Sequence, residues 1–376
     1  MILHLVPTAE KYSETFIWNL IRSVSQTTRC RVLFSEGNCS LLDSHQVTGK
    51  DTNQLQKVRF KLLSYFHGGS FFNLSQLNEH IKKAEPKVVH AHFGYFIKDI
   101  AFIRKHYPNI KCIMSFHGTD INSVIRSSKG LRTALQELSQ DEGVVFTFPS
   151  EFLKRAFLEI ISDSRAQLKV ISNSVESRFV KCWQPTDNTV FSVLSVARLE
   201  EVKGIKYLIS AAKLIAESNI SLKVRVVGEG SCRAELEAFI SRSGLRNSFE
   251  LVGKKSRDEI IDYIRTSDVY VQPSITLANG QQESFGVSAL EAAVSGIPII
   301  VTDSGGLSNT IEDSNDNHFI VPEKSAQALA NLIISIIQNN KFIEPSDEYI
   351  NRFSEESLLK IWLSLYCPEN HKCGAN

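Results

Sequence analysis

Long apolar runs are missing from this 376-residue chain. No stretch approaches the roughly 18 apolar residues of a membrane span. The opening residues 1–7 lack a basic n-region and carry too short an apolar stretch for a signal peptide, so none is expected. Cysteines are few and scattered: Cys30, Cys39, Cys112, Cys182, Cys232, Cys367 and Cys373 are odd in number and nowhere form a CxxC pair. That pattern excludes a disulfide framework and a zinc ribbon, and points to reduced thiols in a cytoplasmic protein. Charge of one sign is not in excess: the formal net charge is +1, which gives no general affinity for nucleic acid. An Asp-x-Asp flanked by apolar residues, the usual carboxylate holder of a catalytic divalent metal, is absent, so no metal site is expected.

What is present is an alternation of short apolar strands with amphipathic stretches. Residues 2–6, 88–92, 112–116, 144–148 and 169–171 read as strands, and 15–25 as a helix, the rhythm of a parallel sheet covered by helices on both faces. The rhythm restarts at 190–196 and runs through strands at 222–227, 249–252, 269–272 and 299–301. The polar stretch 173–188, with Pro185, reads as a linker. The expected architecture is α/β: two doubly wound, Rossmann-like domains facing a cleft, 1–172 and 189–349. An amphipathic helix at 354–366, in a segment of about 350–366, is assigned to the first domain. In such sheets ligands bind beyond the carboxyl ends of the strands.

The stretch 267–310 carries the clearest chemistry. A buried strand ends at Gln272-Pro273-Ser274, and a loop leads through Glu283-Ser284-Phe285-Gly286 into a helix at 287–295, closed by Gly296 and Pro298. Glu283 precedes this helix and Glu291 lies about one turn inside it. The free N–H groups of the helix start favour a phosphate, and Gly286 lets the backbone approach a ligand. Glu291 can accept from two neighbouring hydroxyls, as on a ribose, and Glu283 can do the same for a sugar beyond the diphosphate. A second constellation, Arg198 at a strand end and Lys203 at a helix start, supplies two cations able to neutralise a departing diphosphate. Gly228-Glu229-Gly230 after a strand fits a phosphate loop, although no third glycine follows to complete a dinucleotide fingerprint.

Together these residues resemble glycosyltransferase family four, of the two-Rossmann-domain GT-B architecture, as found in bacterial cell-surface polysaccharide synthesis. The resemblance covers nearly the whole chain and is strongest over 190–311. It implies that Glu283 contacts the donor sugar and Glu291 the ribose. It further implies that Ser284 and the backbone of Phe285, Gly286 and Val287 face sugar and phosphates, with Gly228 on the donor side. Arg198 and Lys203 match the family's diphosphate-binding cations. Asn173-Ser174-Val175-Glu176 resembles its N-G-V-D segment, and the helix at 354–366 its final helix, which crosses back to the N-terminal domain. Ser115-Phe116-His117-Gly118-Thr119-Asp120 resembles its H-G-x-D loop. His117 would then approach the donor sugar, and titration near neutral pH would make activity pH-sensitive. Asp120, His92 and Ser13, in Ser13-Glu14-Thr15-Phe16, fall on the acceptor side. His90 and His92 share one strand face and read as structural or acceptor-side groups. Ser308-Asn309 stands where the family usually has Pro-Glu.

The expectation is therefore metal-independent hexosyl transfer with retention at the anomeric carbon. The donor is a nucleoside diphosphate sugar, UDP-linked in preference, used as substrate with no separate cofactor. The acceptor is a saccharide or lipid-linked saccharide. Basic and apolar residues mix at 57–63 and 152–157, which would suit peripheral contact with an anionic membrane face, although ordinary amphipathic helices explain them as well. Rival readings are a sugar-nucleotide epimerase or phosphorylase, a non-catalytic sugar-nucleotide-binding module, and a nicotinamide-dependent oxidoreductase.

Overall fold

The computed structural model describes the chain apart from residues 10–13, 37–38, 42, 47–69, 162, 188, 312–317, 340–342 and 368–376. The chain divides into two compact units, Met1–Ser174 with Glu355–Asn376, and Val175–Ser354.

In the first unit β1 (Ile2–Thr8), β2 (Cys30–Glu36), β3 (Ser44–Gln46), β4 (Val88–His92), β5 (Lys111–Ser115), β6 (Val144–Phe148) and β7 (Gln167–Val170) form one parallel sheet, ordered β3-β2-β1-β4-β5-β6-β7. The order reverses between β1 and β4, which opens a crevice at their carboxyl ends. The central strands are buried along their whole length because helices cover both faces. One face packs under α1 (Thr15–Ser25), where Ile17, Trp18, Ile21 and Val24 supply the buried stripe. The other packs against α2 (Leu74–Ala84), α3 (Ile97–His106), α4 (Lys129–Leu138) and α5 (Glu151–Leu158).

The second unit repeats the design. Strands β8 (Phe191–Val196), β9 (Leu222–Val227), β10 (Phe249–Gly253), β11 (Val269–Gln272), β12 (Ile299–Thr302) and β13 (His318–Val321) lie in the order β10-β9-β8-β11-β12-β13, all parallel. Its helices are α6 (Ile205–Glu217), α7 (Arg233–Arg242), α8 (Arg257–Arg265), α9 (Val287–Ser295), α10 (Leu307–Ile311), α11 (Ala326–Asn339) and α12 (Asp347–Phe353). Helix α8 starts on a complete capping box, Ser256 with Glu259. Helix α9 ends where Gly296 takes φ 95°, as the Gly-x-Pro pattern predicts.

The stretch expected as a linker is not one. Val175, Phe179 and Trp183 are buried in the core of the second unit, and Trp183 Nε1 donates to the Ser267 carbonyl at 2.6 Å. Burying three large apolar side chains at four-residue spacing outweighs the polar residues between them. The last helix, α13 (Glu355–Tyr366), belongs to the first unit. Leu358, Trp362, Leu365 and Tyr366 join Ile2, Val24, Val88, Ile113, Val145 and Ile171 in one apolar cluster.

Replacing Trp362 by Ala should destabilise the first unit by about 3–5 kcal/mol, the usual cost of deleting a buried indole. The two remaining tryptophans report separately, Trp18 on the first unit and Trp183 on the second. In a urea titration the Trp18 transition should move to lower denaturant while the Trp183 transition stays in place.

Candidate active site

At the switch point of the second sheet the residues after β8 and those after β11 converge. Lys203 ends a tight turn, Glu201–Lys203, and Gly204 follows at φ 63°. A Cβ on Gly204 would overlap the Pro273 carbonyl oxygen, so only glycine lets the turn pack on the loop after β11. The result is an ion pair between Lys203 Nζ and Glu283 Oε2, each side chain only 14% exposed. Gln272 Nε2 at 3.1 Å and Ser274 Oγ at 3.4 Å donate to the same oxygen. From the far side Gly306 N donates to the Glu283 carbonyl at 2.9 Å, and a Cβ on Gly305 would overlap that carbonyl. Burial pushes the Glu283 pKa up, but Lys203, Arg198 and the Ser284 N–H outweigh it, and the carboxyl titrates below its ordinary value. The expectation of separate roles for Glu283 and Lys203 is thus modified: they form one charged unit. Arg198 is exposed and lends its field to the same carboxylate.

Beside this pair stands the start of α9. Gly286 is its N-cap at φ 85° and, as glycine, offers no side chain to cap the first N–H groups. Val287 opens the helix, and Ser288 Oγ donates to Gln272 Oε1 at 3.1 Å. Phe285 is buried, and its carbonyl takes the Thr310 hydroxyl, so that carbonyl is a packing group rather than one free to face a sugar. Gly228 is a second correction. At φ 144° its N–H bonds to Gly253 at 2.9 Å, and a Cβ would overlap the Ala197 carbonyl. It ties the end of β9 to that of β10 and packs closely on the residue after β8. Ser308 of α10, standing in for the family's usual residue, donates to Asp303, just after β12, at 3.0 Å. Glu291 is buried in α9, where both oxygens accept from Arg257, at 2.6 and 3.0 Å. The sequence reading missed Arg257, Gln272 and Ser274, although the last two flank Pro273 at the very strand end it singled out.

In the first unit the H-G-x-D loop is built by its own carboxylate. Asp120 is fully buried and accepts from the backbone N–H groups of Gly94, His117, Gly118 and Ile121 at 2.8–3.3 Å. Both oxygens are therefore spent on the loop, and the expected acceptor-side role gives way to a structural one. Ser13 lies outside the described residues, as do the basic and apolar residues at 57–63. His117 sits against Phe16 and Phe93, with ring centroids at 5.0 and 4.7 Å. Neither of its nitrogens has a hydrogen-bond partner among the described residues. It lines a cavity of about 40 Å³ with Phe16, Leu20, His92, Thr147 and Trp362, above the roughly 10–15 Å³ that one water needs.

His92 is not alone with His90. The register sets His4 of β1 opposite His90 of β4, and the three imidazoles offer nitrogens within 4.8 Å of one another. His90 commits one nitrogen to Tyr366 Oη at 2.8 Å and the other to Ser115 Oγ at 2.7 Å, while His4 Nδ1 and His92 Nε2 lie 3.3 Å apart. Burial lowers the pKa of all four histidines, to about 3 for His4 and for His117. The expected titration of His117 near neutral pH is thereby overturned: desolvation keeps the ring uncharged.

Comparison with known proteins completes the picture. The family model described as Glycosyltransferase Family 4 matches residues 13–179, and the one described as Glycosyl transferases group 1 matches residues 183–356. The chain belongs to glycosyltransferase family four. It is 32% identical over 153 residues to the amylovoran biosynthesis glycosyltransferase AmsK of Erwinia amylovora, covering 41% of this chain and 37% of the relative. It is 27% identical over 260 residues to the putative colanic acid biosynthesis glycosyltransferase WcaL of Escherichia coli, covering 66% of this chain and 61% of that one. The aligned part is thus less than two thirds of either relative. Among solved structures, Anabaena Alr3699/HepE in complex with UDP-glucose superposes with a TM-score of 0.72 at 18% identity, over 98% of this chain and 99% of that one. This family-four chain therefore has the GT-B fold of two Rossmann-like units.

Two outcomes are expected. Each of the buried neutral histidines has a folded pKa below its unfolded value of about 6.5, so the unfolded chain binds more protons as pH falls below 6.5. Each then removes up to about 1.4 kcal/mol of stability per pH unit between that value and its folded pKa. On acidification the first unit should unfold before the second, seen as loss of the Trp18 signal before that of Trp183. For the ion pair, Lys203→Met should strand Glu283 as a buried charge and cost about 3–5 kcal/mol, whereas the double variant with Glu283→Gln should recover most of it. Equal stability of the single and double variants in denaturant titrations would count against the pairing.

Proposed function

We propose that the chain is a retaining, metal-independent hexosyltransferase. It takes its sugar from a nucleoside diphosphate donor, UDP-linked in preference, and passes it to a saccharide or lipid-linked saccharide acceptor in surface polysaccharide synthesis. The observation that carries this reading is the Lys203–Glu283 pair beside the uncapped start of α9, with Arg198 free to reach a ligand. A diphosphate set against Arg198, Lys203 and the α9 N–H groups has its charge matched without a metal ion. Glu283, whose carboxyl titrates below its ordinary value beside Lys203 and Arg198, accepts hydroxyls of the donor sugar.

In the reaction the bond between the anomeric carbon and the leaving phosphate oxygen breaks. The acceptor oxygen joins the same face of the sugar, and its proton passes to the departing diphosphate. Arg198, Lys203 and the helix N-terminus hold the charge that develops there. No carboxylate is needed as nucleophile in this reading, and Lys203, Gln272 and Ser274 hold Glu283 in place by its Oε2. His117 and His92, uncharged and presenting unpartnered nitrogens, would serve as hydrogen-bonding groups for hydroxyls and not as general bases. The apolar cavity walls beside them suit an acceptor with an apolar portion. Membrane association through basic helices such as α5 belongs to the same proposal, as does a cytoplasmic location.

A donor screen tests the proposal. Among UDP-, GDP- and ADP-sugars, the true donor should raise the melting temperature, equivalent to about 2.7 kcal/mol at a hundred times its dissociation constant. Free nucleoside diphosphate should then appear only when a saccharide acceptor is added, undiminished by EDTA, and the product should keep the donor's anomeric configuration by NMR. Diphosphate release without acceptor, or loss of turnover in EDTA, would defeat it.

A further inference from the structure

Gln272 ends β11 with a fully buried primary amide, after Val269, Tyr270 and Val271. A residue that only filled space there would be apolar, because burying an amide costs free energy unless hydrogen bonds replace its water. The bonds it makes run to two different parts of the site. On one side Nε2 donates to Glu283 Oε2 at 3.1 Å. On the other, Oε1 accepts from the hydroxyl of Ser288, in the first turn of α9, at 3.1 Å. The Tyr270 hydroxyl divides its one proton between the same Oε1 at 3.1 Å and the Val196 carbonyl, at the end of β8, at 3.2 Å. An ionised carboxylate can only accept, so the NH₂ must face Glu283 and the carbonyl the hydroxyls. The amide also lies against the cap of the helix: a Cβ on Gly286 would stand 3.6 Å from Nε2. Lys203, Gln272 and Ser274 all donate to Glu283 Oε2, and the Glu283 side chain keeps 14% of its surface open. Of these three donors Gln272 alone, among the described residues, bonds onward to α9.

We propose that Gln272 is a positioning residue of the transfer reaction: its amide couples the Glu283 carboxylate to the first turn of α9 and fixes the distance between them. The proposal rests on the reading of Glu283 as the holder of the donor sugar and of the α9 start as the holder of its diphosphate. The bond that breaks lies between those two parts of the donor. Drift of one holder against the other is therefore felt most in the transition state, where a misplacement on the order of 1 Å costs about a hundredfold in rate. Gln272 is itself closed off from any ligand and acts through the two groups it joins. Lys203 supplies charge to Glu283 and Ser274 a further hydrogen bond, but neither ties the carboxylate to the helix.

The test compares the full chain as wild type, Gln272→Met, Ser288→Ala and the double variant, with the sugar donor that the melting screen selects. Methionine keeps the volume of the side chain and removes both polar ends. Gln272→Met should bind free UDP or GDP, matching that donor's base, within about twofold of wild type, which also shows that it is folded. Its kcat should fall about ten- to a hundredfold with the donor KM within about twofold, the mark of an interaction that counts in the transition state. Ser288→Ala should lower kcat by about three- to tenfold, and the double variant should be no slower than Gln272→Met, because both substitutions cut one chain of bonds. The acid limb of kcat should move to higher pH in Gln272→Met, where Glu283 has lost a donor to its charged form, and stay in place in Ser288→Ala. Wild-type kcat in Gln272→Met, or losses that multiply in the double variant, overturns the proposal and leaves the transfer reaction standing. Ser288 is only half-buried, so its truncation leaves the fold intact, and wild-type kcat in Ser288→Ala overturns the coupling whatever becomes of Gln272→Met. A wild type that releases no nucleoside diphosphate from any sugar donor overturns the transfer reading, and this role of Gln272 with it.

Discussion

A carboxylate held at 14% exposure needs a cation beside it, and the second unit is arranged so that Glu283 has one in Lys203. The surrounding backbone serves that pairing. Gly204 and Gly305 both adopt positive φ where any Cβ would strike a carbonyl, and the two carbonyls belong to Pro273 and Glu283, the ends of the loop that carries the carboxylate. Gln272 and Ser274, at the end of β11, fill out the hydrogen bonding of the same oxygen. The loop between is tied down as well: Ile275 N bonds to the Val202 carbonyl at 2.8 Å, and Thr276 gives both its N–H and its hydroxyl to Glu323. A charged pair sited at a strand-order reversal thus fixes a loop that would otherwise be free to wander.

The first unit solves the same placement problem without charge. Its strand-end residues are imidazoles and hydroxyls, linked as Tyr366–His90–Ser115–Thr147. The one carboxylate in its H-G-x-D loop is consumed in holding backbone. Asp120 ties Gly94 to the turn at His117, and Phe93 between them sits at a strained φ of 83°. The strain is tolerated because Phe93 N bonds across to Ser115 at 2.8 Å while Asp120 fixes the next residue. A site of uncharged groups in an apolar cavity is suited to hydroxyls, and one of paired charges to a diphosphate. The two halves of the chain differ in this way although both sheets reverse their strand order at the same point.

Much of this was legible in the sequence, and the failures have definite causes. Strong patterns survived: the helix at 15–25, the helix at 287–295 with its Gly-x-Pro stop, and the parallel strands through the middle of each sheet. Short or mixed strands such as β3 and β13 did not announce themselves, because three or four residues show no period. Glu283 and Lys203 were each singled out, but their pairing depends on β8 lying next to β11, which only the topology supplies. His4 passed unnoticed for the same reason, since its partner is set by the register of β1 on β4. Asp120 was misassigned because a carboxylate in a Gly-containing turn looks the same in sequence whether it faces a ligand or its own backbone. The segment 173–188 was misread from its polar composition, when Val175, Phe179 and Trp183 already stood at a regular spacing.

That segment also bears on why Glu291 can be buried at all. A helix running through a core can carry an acidic residue only if its partner comes from a neighbouring element with its own reason to stay put. Arg257 meets this requirement because it opens α8 immediately after the Ser256 cap, where the backbone is fixed by a complete capping box. Its guanidinium is then pinned by Phe179 and Glu176. The residues that look like a connection between domains are therefore part of what keeps the second carboxylate oriented. A substitution at Glu176 or Phe179 would act on Glu291 through a guanidinium that has lost one of its supports.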